Sequence, residues 1–310
     1  MNTIIIDYLD EDVAYLLGLI IARGRIIDRG DDKKIILDFP FKSLEVEGFN
    51  QKEKIAQTVH RKIRGRIQEL ASLPIDVQET ETSINMIIKE NRNTLFWRDI
   101  IYLTKGKKDY NEFVIPNEIF ISPQSIQKEF VRGFCDVAGY VRSSNAYING
   151  RHRIYIEIPF RNWGLPVQLC KLLQEYLNAP VHNLNWAHPN LRAPEDFDNK
   201  SWAKEHQVRL FAEDFETIGF YLEYKQKILS KFAKSNRKKF KNRTEQCFPL
   251  HRKVRHEHKK HPEENSEKLP ANIRGNHFDT YTQICKEMGC ERWIDKNQQK
   301  LGEYTPKKKK

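Results

Sequence analysis

A repeat constrains the fold of this chain more than any other feature. Segment 14–26, AYLLGLIIARGRI, is echoed 115 residues later by segment 129–141, EFVRGFCDVAGYV. Each is an apolar helix pattern in which one glycine is followed six residues later by another: Gly18 and Gly24, then Gly133 and Gly139. The second glycine of each pair reads as a helix stop. Downstream, KIILDFPF (34–41) matches RIYIEIPF (153–160) at an offset of 119, so the second copy has four extra residues in its hairpin, SSNAYING. Period-2 alternation in both turns Ile35, Leu37, Phe39 and Phe41, and likewise Ile154, Ile156, Ile158 and Phe160, toward a core. It turns Lys34 and Asp38, with Arg153, Tyr155 and Glu157, outward.

The remaining elements follow in the same order in each copy. After the first hairpin come a helix pattern (52–73), two strand-like runs (75–81 and 83–89) and a helix (94–103). After the second come a helix (163–179), strands at 181–188 and 206–212, and a helix from about Phe215 to Lys234. The fold class this predicts is α+β, a duplicated αββαββα unit with two antiparallel sheets in one pseudo-twofold body. The divisions are a first repeat (1–104), an inter-repeat linker (105–124), a second repeat (125–234), a basic, histidine-rich linker (235–262) and a small helical module with a basic tail (263–310).

Charge separates the repeats from the tail. Of 53 Lys+Arg and 42 Asp+Glu, residues 235–310 hold 20 and 10, leaving 33 and 32 in the duplicated part. A chain with net charge +11 points to nucleic acid as a partner. The excess, however, lies in the tail, including SNRKKFKNR (235–243) with Arg237, Lys238 and Lys239. No run reaches 18 apolar residues, which excludes a membrane-spanning helix, and acids precede the first apolar stretch where a signal peptide needs cations. Five widely spread cysteines make no disulfide framework. The expectation is a protein of a reducing compartment, cytoplasmic and nucleoid-associated if bacterial, with the duplicated body monomeric by itself.

The repeated order, opened by LLGLIIARG (16–24) and the more specific VRGFCDVAG (131–139), resembles the LAGLIDADG homing endonucleases in their single-chain, two-motif form, over roughly residues 10–234. The resemblance implies that the motif helices pack through small residues, here Gly18 and Ala22 against Gly133 and Val137. It also implies that two four-stranded sheets form a saddle over the major groove of double-stranded DNA. Alternate side chains of such a sheet reach base edges and phosphates. The DNA-contacting set expected on the exposed face is Arg25, Arg29, Lys34, Asp38, Gln78, Asn85 and Lys89 from the first copy. From the second copy it is Arg142, Arg151, Arg153, Tyr155, Glu157, Asn183, Asn185, Gln207 and Arg209.

The chain departs from the family at its chemistry. In the family, the acid before the closing glycine of each motif binds the divalent metal that activates water and stabilises the leaving oxygen. The matching positions here are Arg23 and Ala138. Asp136 lies two positions earlier and is a weak substitute; Asp28, Asp31 and Asp32 are further acids on which displaced catalysis could rest. The leading expectation is therefore a sequence-reading DNA-binding protein without catalysis and without a cofactor. A DNA-recognition subunit for a partner nuclease or modification enzyme, in restriction or phage defence, fits that description. The alternatives are an active metal-dependent endonuclease, which would need Mg²⁺, an RNA maturase and a transcription regulator. In the tail, Cys247, His251, His256, His258 and His261 form a loose zinc candidate without a paired C-x₂-C, and no HNH nuclease spacing is recognisable beside them.

Overall fold

The computed structural model describes residues 9–30, 32–71, 73–90, 94–143, 151–162, 164–190 and 203–240. In the first repeat, α1 (Glu11–Arg23) leads into β1 (Gly24–Arg29) and β2 (Asp32–Pro40). A short α2 (Phe41–Leu44) follows, then α3 (Lys52–Val59), which continues through a π turn (His60–Arg64) into α4 (Gly65–Ala71). β3 (Ile75–Glu79), β4 (Ser83–Glu90) and α5 (Leu95–Leu103) complete the copy. After α6 (Asn117–Ile121), the second repeat runs α7 (Gln124–Ala138), β5 (Gly139–Arg142), β6 (Arg153–Pro159), α8 (Gly164–Lys171), β7 (Val181–Asn190) and β8 (Ala203–Phe211). It ends with α9 (Ala212–Phe215) and α10 (Glu223–Lys239). Two antiparallel four-stranded sheets result, β1-β2-β4-β3 and β5-β6-β8-β7, with the same order in each copy. This is the duplicated α+β architecture that the repeat predicts.

The two motif helices cross at their glycines. A Cβ on Gly18 would run into the carbonyl oxygen of Phe130 and lie 2.7 Å from the Phe134 nitrogen; one on Gly133 would run into the carbonyl of Tyr15. Only glycine lets the two backbones touch there. Gly24 and Gly139 serve differently from the helix stop the sequence suggests. Both are extended, with φ −94° and −100°, and each helix passes straight into a strand. A Cβ on Gly24 would meet the Ile20 carbonyl at 2.5 Å, and one on Gly139 the Cys135 carbonyl at 2.7 Å, so close approach, not a left-handed turn, requires them.

The alternation read from the sequence sets the core. Ile35, Leu37, Phe39, Phe41, Ile154, Ile156 and Ile158 are buried, and Phe160 packs against the same core half-buried. The 105–124 segment covers the free edge of β1: Arg25 bridges Asp109, and the Ile26 N–H donates to the Lys108 carbonyl at 2.8 Å. That pairs the first residues of an otherwise open strand edge. The last helix differs from its expected span, since residues 216–222 separate α9 from α10, and α10 runs on to Lys239. Arg237, Lys238 and Lys239 thus belong to a helix end whose inner side is held by buried Phe232, Ala233 and Asn236.

Polar groups inside this core carry a pH signature. His206 lies on the core side of β8, is fully buried, and burial pushes its imidazole down to about 3. The unfolded chain, with an ordinary imidazole, binds one more proton than the folded chain between those values. Stability therefore falls as pH drops through about 6.5, at about 1.4 kcal/mol per pH unit from this group. Asp136, raised to about 6 by burial, works in the opposite sense between about 4 and 6, over most of that window. Urea midpoints of wild type and His206→Leu between pH 5 and 8 isolate the histidine; the difference between the two proteins should grow as pH falls below about 6.5.

Candidate nucleic-acid interface

The C-terminal ends of α1 and α7 bring the outward sheet faces together, and there the chain places a buried charge network. Arg23, the last residue of α1, sends its Nη2 across to Glu205 Oε1 at 2.8 Å. Lys42, on α2, donates to both carboxylate oxygens of Glu157, at 2.8 and 3.0 Å, and lies 3.9 Å from Glu205. In each case a cation of the first copy meets a carboxylate of the second. Burial works against the Arg23 charge, but Glu205, Glu157 and Asp38 around it raise its pKa above the ordinary value. Burial and the neighbouring Glu205 push the Glu157 carboxyl well up. Against the upward push of burial, the Arg23 guanidinium holds Glu205 well below the usual carboxylate range. Asp38 and Glu157 occupy equivalent positions of the repeat.

On the first sheet the expected contact residues share the outward face. The register sets Arg25 opposite Ile36, Lys34 opposite Lys89, Asp38 opposite Asn85 and Gln78 opposite Asn85 on its other side. Arg25, Arg29, Gln78 and Lys89 are exposed, and Lys34, Asp38 and Asn85 half-buried. Ile27, Ile36 and Ile87 lie among them, half-buried on the same face. Several of the cations already have acidic neighbours: Arg25 with Asp109 at 3.4 Å, Lys34 with Asp32 at 3.1 Å, and Lys89 with Asp76. Exposed pairs of this kind contribute little and are readily exchanged for phosphate.

The second sheet corrects the expectation. Arg142 is exposed and Tyr155 and Arg209 are half-buried, but Arg151, Arg153, Glu157, Asn185 and Gln207 are buried, not exposed. They lie on the predicted face, and the face is filled by its own contacts. Arg151 Nε donates to Glu213 at 2.7 Å, with its guanidinium 3.8 Å from the centroid of the Phe211 ring. Arg153 also lies over Phe211. Gln207 donates to the Tyr140 hydroxyl at 2.8 Å and accepts from Arg209 at 2.6 Å. Tyr140 stacks on Tyr155 at 5.2 Å, with Arg142 over the first ring and Arg209 over the second. Asn183 lies on β7 opposite Arg209, where the strand is bulged. Lys42, Glu205 and Tyr140, absent from the sequence-derived set, complete this surface. The signals that mark them are local: Lys42 directly follows the PF of the first repeat, and Glu205 alternates in phase with Gln207 and Arg209.

The acids proposed as substitutes lie elsewhere. Asp136 is fully buried and accepts from the Tyr15 hydroxyl at 2.8 Å and from the backbone N–H groups of Tyr221 and Leu222 at 3.2 and 3.4 Å. It joins α1, α7 and the start of α10. Lys225 does related work: its Nζ donates to the carbonyls of Cys135, Asp136 and Gly139, closing the C-terminal end of α7, and burial brings its pKa down to about 8. Asp28 and Asp32 sit at the far end of the first hairpin, four to five strand residues from the seam, roughly 13 Å or more. At the two equivalent helix ends the chain offers a metal no carboxylate: the Arg23 guanidinium, already bonded to Glu205, repels a cation, and Ala138 has no donor atom. The residues present do not fit Mg²⁺, and among the described residues no group of three His, Cys, Asp or Glu could hold a metal. Asp31, Cys247, His251, His256, His258, His261 and the 263–310 module lie outside the described residues. Among the described residues no helix is long and apolar enough to cross a membrane.

No protein-family model matches the chain. A curated relative, a probable translation initiation factor IF-2 of Methanocaldococcus jannaschii, is 22% identical over 182 residues; the match takes 56% of this chain and spans only 14% of that protein. Among solved structures, the homing endonuclease I-DmoI in complex with DNA and Mn is 15% identical, with 72% of this chain and 98% of that one covered and a TM-score of 0.37. The N-terminal LAGLIDADG domain of WhiA is 15% identical, covering 72% and 83% at a TM-score of 0.39. Full-length WhiA from Thermatoga maritima is 14% identical, covering 97% and 93% at 0.38. At these scores the likenesses lend no weight to any function.

Proposed function

We propose that this chain is a double-stranded DNA-binding protein, built on a two-repeat saddle of LAGLIDADG type with degenerate motifs, that reads a long site and does not cut it. The observation that carries the reading is the seam. At the point where cutting would need two metal-binding carboxylates, Arg23 is clamped to Glu205 and the matching residue of the second copy is Ala138, the last of α7. Around the seam, the outward face of the first sheet offers guanidinium, ammonium and amide groups of mixed type, with aliphatic side chains between them. That mixture suits base-edge readout better than indiscriminate phosphate binding. The duplicated body is close to charge balance, so the tail after residue 234 supplies the salt-dependent, sequence-independent share of affinity. A protein that recognises without cleaving serves as the DNA-recognition subunit of a partner nuclease or modification enzyme.

Selection from random duplex DNA, run beside structured RNA, tests the ligand class. The reading expects a long, partly asymmetric duplex site, asymmetric because the first sheet face is open and the second is filled by its own side chains. Enrichment of folded RNA over duplex would contradict it.

A further inference from the structure

On its solvent side, α10 carries Lys227, Lys231, Lys234 and Lys238, spaced i, i+4, i+7 and i+11 and all exposed. At 1.5 Å per residue this makes one stripe about 16 Å long, alongside roughly five phosphates of one DNA strand. Among the described residues none of the four forms an ion pair. The nearest acid on the helix, Glu223, is bonded to Lys62 at 2.7 Å. Like charges four residues apart destabilise a helix; Glu223, one turn before Lys227, offsets the first of them, and no other acid lies on the helix. The inner side of the same helix is anchored by buried Leu229, Phe232, Ala233 and Asn236, so the stripe is held on a fixed rail.

The rail ends at the second sheet. The Asn236 amide donates to the His152 carbonyl at 2.9 Å and accepts the His152 N–H at 2.8 Å, fastening the end of α10 to the residue just before β6. Phe240, directly after the helix, lies under the guanidinium of Arg151, which leads into the outward row of Arg153 and Phe211. Burial, Lys239 and Lys231 hold the His152 imidazole below its ordinary pKa, which places those cations at the same corner.

We propose that the α10 lysine stripe is a second phosphate-binding surface, which takes the backbone of the duplex flank as it leaves the second half of the body. This deepens the reading of the chain as a DNA-binding protein and rests on it. It assigns sequence-independent affinity to Lys227, Lys231 and Lys234, which the near balance of charge over residues 1–234 conceals, with Lys238 of the basic tail continuing the row. The occupant is duplex DNA, because the C-terminal end of the stripe is fastened beside Arg151 and the second sheet, to which the DNA reading assigns contact, and all four residues of the stripe are lysines.

The test compares the full chain with the variant K227Q/K231Q/K234Q/K238Q on two duplexes, one limited to the selected site and one extended by about ten base pairs on each side. Wild type should bind the long duplex at least tenfold more tightly than the short one. The variant should bind both with the wild type's short-duplex affinity. On the long duplex its slope of log K against log salt should be shallower by about 3.6, near 0.9 for each of the four phosphates that are no longer neutralised. The fourfold Lys→Arg variant should behave as wild type. Equal binding of the long duplex by wild type and the Gln variant would overturn the stripe and leave the general reading standing. An equal weakening on both duplexes would overturn the flank assignment, and weakening confined to vesicles of phosphatidylserine and phosphatidylcholine would show a membrane surface instead. Wild type that binds no duplex at all would overturn the stripe and the DNA reading together.

Discussion

Replacing Gly133 with alanine should cost this protein about 3 kcal/mol or more of folding stability, although alanine is the better helix former by about 1 kcal/mol. The added methyl would occupy space taken by the Tyr15 carbonyl and would lie 3.1 Å from the Tyr15 Cα, so α1 and α7 must separate. That gap is shared by both copies of the repeat. Gly18→Ala meets the backbone of Phe130 and Phe134 in the same way, and once one methyl has forced the helices apart the second costs less. The urea midpoint of Gly133→Ala should fall sharply, and the double variant should lose less than the sum of the singles. Gly65→Ala is the internal control. A Cβ there meets nothing within 4 Å in ordinary helical backbone, so this change should be neutral or stabilising by up to about 1 kcal/mol. A loss below about 1 kcal/mol in Gly133→Ala would contradict the close helix crossing on which the pseudo-twofold body depends.

The second large effect lies at the seam. Glu205→Leu leaves the Arg23 guanidinium buried beside an apolar side chain, with Lys42 and Glu157 as the remaining charges of the network. Removing one partner of a buried ion pair costs on the order of 3–5 kcal/mol, most of it from the stranded charge. Arg23→Met in the same chain removes that charge, so the double variant should recover most of the loss. Urea unfolding of the two singles and the double closes the cycle; additive losses would mean that the pair is not coupled. The pH dependence has a definite sign. Glu205 has its pKa depressed in the folded state, so its contribution is present above the unfolded carboxylate value and is lost as pH falls below it. Glu157 is raised and takes up its proton earlier in the folded chain, so it offsets part of that loss in mildly acid solution. In Glu205→Leu the stabilising contribution is gone at every pH.

What the sequence made legible was periodic or repeated. Two glycine pairs at one offset located both motif helices, and alternation in 34–41 and 153–160 assigned the core and outward faces of four strands. Exposure of the second outward face was not legible, because alternation tells which side of a sheet a residue takes and not what lies over it. Gln207, Glu157 and Arg153 are on the side expected, yet Tyr140, Lys42 and Phe211 reach them from other strands and from α2. The seam was half legible. The loss of carboxylates at Arg23 and Ala138 is plain in the chain, but the partner of Arg23 stands 182 residues away, a distance over which no local pattern speaks. Asp136 shows the converse: motif position made it a candidate for chemistry, whereas three donors from Tyr15, Tyr221 and Leu222 make it a buried joint.

For the proposed recognition without cleavage, one measurement is the most direct. The duplex recovered by selection, labelled on both strands, is incubated with the purified full chain and Mg²⁺ or Mn²⁺, and both retardation and strand integrity are followed. A protein that recognises without cutting gives a retarded complex in which both strands stay intact over many hours. Site-specific scission of either strand, lost on substitution of an acid at the seam, would contradict it.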